Sequence, residues 1–185
     1  MRSKLSFLLG VIALASLPAT GVAATNAERL SSGIYRIEYA KLGGWTILRF
    51  AKDSAGHDVI HCAAVKMIAS EQGLRFGFDA AANEFTYGFM GAGSAVSQER
   101  PVTFWFDDDR ANGTSSNAVL YKEIDDSEWL GRVQSAKEPG FETPFLAHKK
   151  FSVRYQLEGR QHTESFSLTG LNTALPKLLE CSRGR

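Results

Sequence analysis

Apolar and polar residues alternate with a period of two along most of the chain, from about residue 32 to residue 167. This alternation is typical of β-strands that bury one face. It is clearest at residues 151–158, after which Gly159 permits a tight return into residues 161–168. The pattern predicts about eight to ten antiparallel strands, folded as a β-sandwich or a partly closed barrel.

The end of the chain changes period and predicts one short α-helix. Leucines recur there at helical spacing, at Leu171, Leu175, Leu178 and Leu179. Thr173 is a suitable N-cap, and it would place Pro176 in the first turn, where proline's missing N–H is not needed. Gly184 suits the C-terminal end of such a helix. Before the first strand, residues 25–32 are polar, and we expect a loose lead-in or a short helical turn there.

Residues 1–24 have the layout of a cleaved secretory signal. Two basic residues precede an apolar run at residues 5–17 that is too short to span a bilayer, and Val22-Ala23-Ala24 supplies small residues before the cleavage site. We therefore expect residues 25–185 to form a single β-rich domain that is periplasmic or secreted.

Charge and hydropathy argue against nucleic acid and against a stable membrane anchor. The chain has 21 basic and 20 acidic residues, and removal of Arg2 and Lys4 with the signal leaves 19 basic residues and a net charge of −1. A protein without a basic stripe lacks the electrostatic attraction that binds phosphate backbones. After residue 24, no apolar run approaches the length of a membrane-spanning helix.

The sequence has two cysteines, Cys62 on a predicted strand and Cys181 at the end of the predicted helix. In an oxidising compartment we expect them to form a disulfide, and the alternative is a pair of buried free thiols. The bond would close a loop of more than about 100 residues and, in the chain-entropy account, contribute about 4–5 kcal/mol to stability. It would also hold a terminal helix that otherwise frays. The two residues lack the close spacing of redox-active cysteines.

No catalytic or metal-binding motif is complete in the sequence. His57 and His61 lie four residues apart, but no third ligand stands at a defined spacing. The acidic run at residues 107–109 does not fit the register of a calcium-binding loop, and a solvated turn at Asn112-Gly113 explains the same residues. We therefore predict no metal, no cofactor and no catalytic residue.

Trp105 is the strongest candidate for a contact residue among the aromatic side chains. It lies on a predicted strand with Phe104 and Phe106 and points to the opposite face, just before the acidic run at residues 107–109. An exposed tryptophan beside carboxylates would suit a protein partner or a sugar, whereas a two-layer fold would bury both faces of the strand.

Motifs toward both ends of the mature chain carry a family resemblance. They are Trp45 before a strand, Cys62-Ala63-Ala64 on the next strand, Phe166-Ser167-Leu168-Thr169-Gly170, Ala174-Leu175, and Leu178-Leu179-Glu180-Cys181. With these motifs the chain resembles small exported bacterial proteins of the invasion-associated locus B kind, or their uncharacterised relatives. The resemblance implies a β-rich periplasmic or surface protein without known catalytic residues.

A second likeness concerns Ser32-Gly33-Ile34-Tyr35. It is similar to the short Ser-Gly-x-Tyr motif of bacterial periplasmic lysozyme inhibitors, whose motif-bearing loop enters the lysozyme cleft. The likeness implies that Ser32 and Tyr35 are contact residues. In the predicted strand pattern, these residues stand at the start of the fold rather than between two strands.

Three functions follow from these observations. The first is a non-enzymatic envelope protein of a Gram-negative bacterium that acts through a protein or glycan contact. The second is a periplasmic inhibitor of a lysozyme-like lytic enzyme. The third is a hydrolase or metal protein whose site is assembled from residues far apart in the sequence.

Overall fold

A computed structural model describes residues 27–69, 72–81, 84–90, 98–122, 129–136, 143–157 and 159–184. The predicted signal at residues 1–24 lies outside these ranges. The strands are β1 (Ala27–Arg29), β2 (Tyr35–Leu42), β3 (Trp45–Ala51), β4 (Val59–Ala69), β5 (Gln72–Asp79), β6 (Glu84–Met90), β7 (Gln98–Phe106), β8 (Thr114–Lys122), β9 (Trp129–Ala136), β10 (Lys150–Leu157) and β11 (Arg160–Ser167). The helices are a 3-10 turn at Arg110–Asn112, α1 (Thr143–Ala147) and α2 (Leu171–Ser182).

The strands pair antiparallel in the order β1-β2-β3-β4-β5-β6-β9-β8-β7-β10-β11. Among the described residues, β1 and β11 do not pair with each other, so the strands do not close into a barrel. Instead, the sheet folds over on itself. Strands β3–β6 lie opposite β7, β10 and β11 and enclose a shared core with them, as the two layers of a sandwich do. The predicted mainly β fold with one short C-terminal helix is confirmed.

Alternation along the strands explains how this core is filled. Leu74, Phe76 and Phe78 point inward from β5, because side chains two residues apart share a face. Aromatic rings then meet between the layers: the Phe89 and Tyr155 ring centroids lie 4.8 Å apart, and Tyr87 meets Phe151 edge-on at 6.1 Å. Such tilted and edge-on contacts are the favoured geometries of aromatic pairs.

A smaller apolar cluster covers the opposite face of β3 and β4. Leu30 packs there with Phe50, Ala63 and Val65. Leu30 belongs to the turn between β1 and β2, so residues 27–29 are a strand and the expected loose or helical lead-in is wrong for them. Burying Leu30 supplies the hydrophobic free energy that holds this short edge strand in place.

Helix α2 begins against the turn between β2 and β3. Trp45 Nε1 and Lys66 Nζ both donate to the carbonyl oxygen of Thr169, at 3.0 and 2.9 Å. Gly170 follows with φ +85° and touches Gly43, and a Cβ on Gly170 would lie 2.5 Å from the Gly43 carbonyl oxygen. Glycine is therefore required at residue 170 both by its backbone angle and by this close approach.

The N-terminus of α2 differs from the sequence prediction. Gly170, not Thr173, is the N-cap, and Pro176 lies inside the helix. The Thr173 hydroxyl donates to the Gly170 carbonyl oxygen at 2.8 Å instead of accepting from an amide. The expected end near Gly184 is present, since Gly184 has φ +70° and its N–H donates to Cys181.

Cys62 of β4 and Cys181 of α2 are joined across a sequence separation of 119 residues, with both residues fully buried. The pairing predicted from the sequence is thus compatible with the structure. Leu171, Ala174 and Leu178 line the same side of the helix and pack into the core. The disulfide therefore fastens a helix that is also held by apolar burial.

A short helix precedes β10. Residues 143–147 form α1, with Pro144 in its first turn, where proline is well tolerated. Phe145 of α1 is buried and meets Phe76 edge-on at 4.9 Å. In the described ranges, neither α1 nor α2 has the length and apolar character that crossing a bilayer requires.

Replacement of Cys181 by serine should lower the free energy of unfolding by about 2–5 kcal/mol, because the disulfide no longer restricts the unfolded chain. Thermal melting of the oxidised protein, the reduced protein and Cys181→Ser measures this difference. Limited proteolysis should cut residues of α2 sooner in the variant than in the oxidised protein. Equal melting temperatures for oxidised and reduced protein would contradict the role given to the bond.

Gly170→Ala should lower the free energy of unfolding by about 2–4 kcal/mol, because it combines left-handed strain with a clash against Gly43. Gly159→Ala is a matched control: its φ is +75°, but a Cβ there meets nothing within 4 Å. Left-handed strain alone should lower the control's stability by about 1–2 kcal/mol. Denaturant unfolding of both variants checks the difference, and equal losses would show that the close approach adds nothing.

Candidate functional site

The corner between β7 and β10 is built around Asp107, the residue that follows β7. Its carboxylate accepts hydrogen bonds from the backbone N–H groups of Lys149 and Lys150, at 2.9 and 3.0 Å. Its own N–H donates to the Lys150 carbonyl oxygen at 2.8 Å. Asp107 has φ +50°, a left-handed conformation that is uncommon outside glycine but tolerated by aspartate. The reciprocal bonds offset that strain.

His148 is fixed by the same carboxylate. Its Nδ1 lies 3.0 Å from Asp107 Oδ2, and its ring stacks on Phe106 at 4.7 Å between centroids. The hydrogen bond from His148, followed by those from the backbone, lowers the pKa of Asp107 below its usual range. Because an ionised carboxylate only accepts, His148 Nδ1 donates the proton of this hydrogen bond.

Two shallow depressions flank His148, and together their lining residues are called the His148 surface. The first, the Leu146 depression, has a volume of about 170 Å³ and is lined by Phe145, Leu146, His148, Lys149, Leu168, Thr169, Gly170, Leu171 and Asn172. The second, the Trp105 depression, has a volume of about 130 Å³ and is lined by Phe104, Trp105, Phe106, Asp109, Asn112, Thr114 and His148. Ligand pockets usually exceed roughly 300 Å³, so each depression suits one side chain or one ring.

Trp105 lies on the face of β7 that points away from the shared core, as its alternation predicts. It is nevertheless only 8% exposed. It stands opposite Ser152 of β10, and the Arg110 guanidinium lies 5.7 Å from its ring centroid. The alternative in which both faces of this strand are buried therefore describes Trp105 better than an exposed ring. Trp105 is one of the residues that line the Trp105 depression.

The acidic run carries hydrogen-bonded carboxylates rather than ligands gathered around one point. Asp107 pairs with His148, Asp108 with Lys150 Nζ, and Asp109 with the side-chain amide of Asn112. In the part of the chain that the structure describes, no group of three potential metal-binding side chains is found. This arrangement fits the solvated turn considered in the sequence rather than a calcium loop.

His57 and His61 lie in different surroundings. His57 is in the β3–β4 loop, 88% exposed at its side chain, with Nδ1 3.9 Å from Asp53. His61 is on β4, stacked on Phe50 at 4.3 Å, with Nε2 3.0 Å from Arg75 Nη2. The two histidines therefore have different partners in the structure.

Ser32 and Tyr35 lie at the connection between β1 and β2. Leu30 N–H donates to the Ile34 carbonyl oxygen at 2.8 Å, and Gly33 adopts φ +83°. Ser32 is exposed at this turn, and the partly buried Tyr35 begins β2 opposite Arg29. The expectation that these residues stand before the strands is wrong, because a short strand precedes them.

Glu164 is a buried ionisable residue away from the His148 surface. It lies on the inward face of β11, is 8% exposed, and approaches Gln72 Nε2 at 3.4 Å and the Tyr155 hydroxyl at 3.5 Å. Burial raises the pKa of Glu164 above its usual range. An inward-pointing charge on the last strand of a sheet hinders pairing with a further strand, so a structural role accounts for it.

Comparison of the chain with protein-family models, with curated proteins and with solved structures gives no match in any of the three. The residues that carry the sequence resemblance can still be placed. Trp45 meets Thr169, and Cys62 meets Cys181, so they join α2 to the sheet. They have a structural role, and the family relation stays a prediction.

The pair formed by Asp107 and His148 could not be found from the sequence. The two residues are 41 positions apart, and no spacing rule connects the end of one strand with the start of another. The alternation of β7 and β10 indicated two strands, but not that they would be neighbours. The residues next to Asp107 in the sequence do not indicate its left-handed conformation.

Proposed function

We propose that this chain is an exported, non-enzymatic protein of the bacterial envelope that binds a protein or a glycan through the His148 surface. The observation that carries the proposal is a histidine ring fixed between two depressions, each too small for a complete small-molecule ligand. A contact made by several such depressions is typical of recognition of a larger partner.

The side chains of the His148 surface favour binding over hydrolysis. Asp107 and His148 resemble the orienting half of a nucleophilic triad, which also requires an activated serine or cysteine. Among the described residues lining the two depressions there is neither a serine nor a cysteine, and the hydrogen bond of the His148 ring goes to Asp107 rather than to Thr114 or Thr169. Leu146 is 45% exposed at the rim, and such an apolar side chain gains free energy when a partner covers it.

Export is part of the same proposal. It is supported by the layout of residues 1–24, which predicts a cleaved signal. The cysteine pair supports it as well, because disulfides persist in the periplasm and outside the cell. A fixed surface on a disulfide-bonded fold binds with little loss of conformational entropy.

His148→Ala should weaken binding, since it removes the wall that both depressions share. The disulfide-bonded protein is immobilised and exposed separately to the protein fraction and the glycan fraction of a bacterial envelope extract. His57→Ala is the matched control, because it removes another exposed histidine beside an aspartate. Wild type and control should retain the same component, and His148→Ala should retain about tenfold less.

Two results would contradict this function. One is the absence of retained material from either fraction on the wild-type protein. The other is equal retention by the wild-type protein and His148→Ala, when circular dichroism shows that both proteins are folded.

Inhibition of a lysozyme-like enzyme is a second candidate function, favoured by the turn between β1 and β2. Ser32 is exposed there, on a connection held by the buried Leu30. A short, exposed turn between two strands can enter an enzyme cleft, and this placement supports the likeness implied by residues 32–35.

Purified lysozymes test this second candidate. If the turn enters the cleft, the protein should inhibit at equimolar ratio, and Ser32→Ala should raise the inhibitory concentration about tenfold. Ser54→Ala, an exposed serine in the β3–β4 loop, serves as the control and should inhibit like wild type. Undiminished lysozyme activity in the presence of excess wild-type protein would rule the candidate out.

A further inference from the structure

We infer that the outer edge of β11 pairs antiparallel with β11 of a second copy of this chain, around a twofold axis at Thr163. This interface goes beyond the proposed function and does not depend on it. β11 is the last strand in the pairing order, and within the described ranges no strand lies beyond it. It pairs with β10 over all eight of its residues without a bulge.

The hydrogen bonds of β10 determine which backbone groups of β11 face outward. The Lys150 carbonyl oxygen accepts from the Asp107 N–H at 2.8 Å, so the backbone of Lys150 is bonded toward β7. The Lys149 carbonyl oxygen accepts from the Leu168 N–H at 2.8 Å, which is the β11 side. Backbone groups alternate between the two sides of an antiparallel strand. In the register of β10 with β11, the even-numbered residues of β11 are therefore bonded to β10, and the odd-numbered residues are directed outward.

The outward backbone groups lie at Gln161, Thr163 and Ser165. The side chains of these residues are exposed and uncharged. Proteins commonly protect an edge strand by lysine, proline, a bulge or short length, and β11 has none of these four features. The backbone of β11 can therefore accept a further strand.

Glu164 determines which strand can be added. Its inward-facing side chain is 8% exposed, with Gln72 Nε2 at 3.4 Å and the Tyr155 hydroxyl at 3.5 Å. A strand that placed an apolar or acidic side chain opposite Glu164 would cover the carboxylate further without compensating its charge. A strand with a basic side chain at that point removes this obstacle.

A second copy of β11 supplies the basic side chain by symmetry. When Thr163 stands opposite Thr163 of the second copy, His162 of each copy stands opposite Glu164 of the other. These two side chains occupy a non-hydrogen-bonded pair, where opposite Cα atoms are only about 4.5 Å apart. The same register places Gln161 opposite Ser165, so that the three outward residues of each copy form roughly six backbone hydrogen bonds.

Other twofold registers are less favourable. An axis at Glu164 would place two carboxylates opposite each other, and an axis at Ser165 would place Phe166 opposite Glu164. An axis at His162 would place two histidines opposite each other and shorten the overlap of the strands. Opposite charges favour a cross-strand pair and like charges disfavour it, so the axis at Thr163 is selected.

Sedimentation velocity of the disulfide-bonded protein between about 10 μM and about 1 mM tests the inference. A contact one strand wide buries less than the roughly 1,600 Å² of a standard interface, so we expect a reversible dimer whose share rises with concentration. A monomer throughout this range would overturn the inference.

Thr163→Pro should raise the dissociation constant of the dimer at least about tenfold, because it removes the outward N–H at the axis and leaves the bonds to β10 in place. Thr163→Val is the matched control, since valine keeps the N–H and has a similar volume. The control should dimerise like wild type. Equal dimerisation of both variants, when circular dichroism shows that both are folded, would overturn the inference.

Cross-linking through an introduced cysteine tests the register. Thr163→Cys would bring two Cα atoms to about 5.5 Å, within the range that a disulfide spans, so mild oxidation should give a covalent dimer. Gln161→Cys is the control, because its two copies would stand roughly 13 Å apart along the strands, which a disulfide cannot span. Covalent dimers that form as readily with Gln161→Cys as with Thr163→Cys would overturn the axis at Thr163.

Discussion

The docking of helix α2 against strands β2–β5 is the interaction on which the rest of the structure depends. Three kinds of contact act together there: apolar burial along one side of the helix, hydrogen bonds to the Thr169 carbonyl oxygen, and the Cys62–Cys181 bond. An isolated helix of this length is only marginally stable in water. The sheet therefore stabilises the helix, and the helix covers the apolar face of β2–β5.

Much of this architecture could be predicted from the sequence, because the strands obey a period of two and the leucines of α2 a helical one. The cysteine pair also followed from residue type and the predicted compartment. The N-terminus of α2 could not be placed, because the conformation of Gly170 depends on its contact with Gly43, which is distant in the sequence. Strand β1 was missed because Ala27, Glu28 and Arg29 are too few to show an alternation, and the buried Leu30 after them holds the strand.

The candidate site could be predicted from the sequence less completely than the fold. Trp105 could be identified as a residue on the outward face, but its burial depends on neighbours that alternation does not specify. His148 and Asp107 are ordinary surface residues when considered singly. They form a site only because the pairing of β7 with β10 brings the end of β7 beside the start of β10. Long-range strand pairing is the information that local patterns lack.

The wide separation of the two cysteines has a consequence for when this fold can form. A chain that crosses a membrane unfolded delivers Cys62 well before Cys181. Until the later residue arrives, the inner face of β3–β5 has no helix to cover it, and premature locking by this bond is impossible. Folding would then be completed only after translocation, and formation of the Cys62–Cys181 disulfide would be its last step.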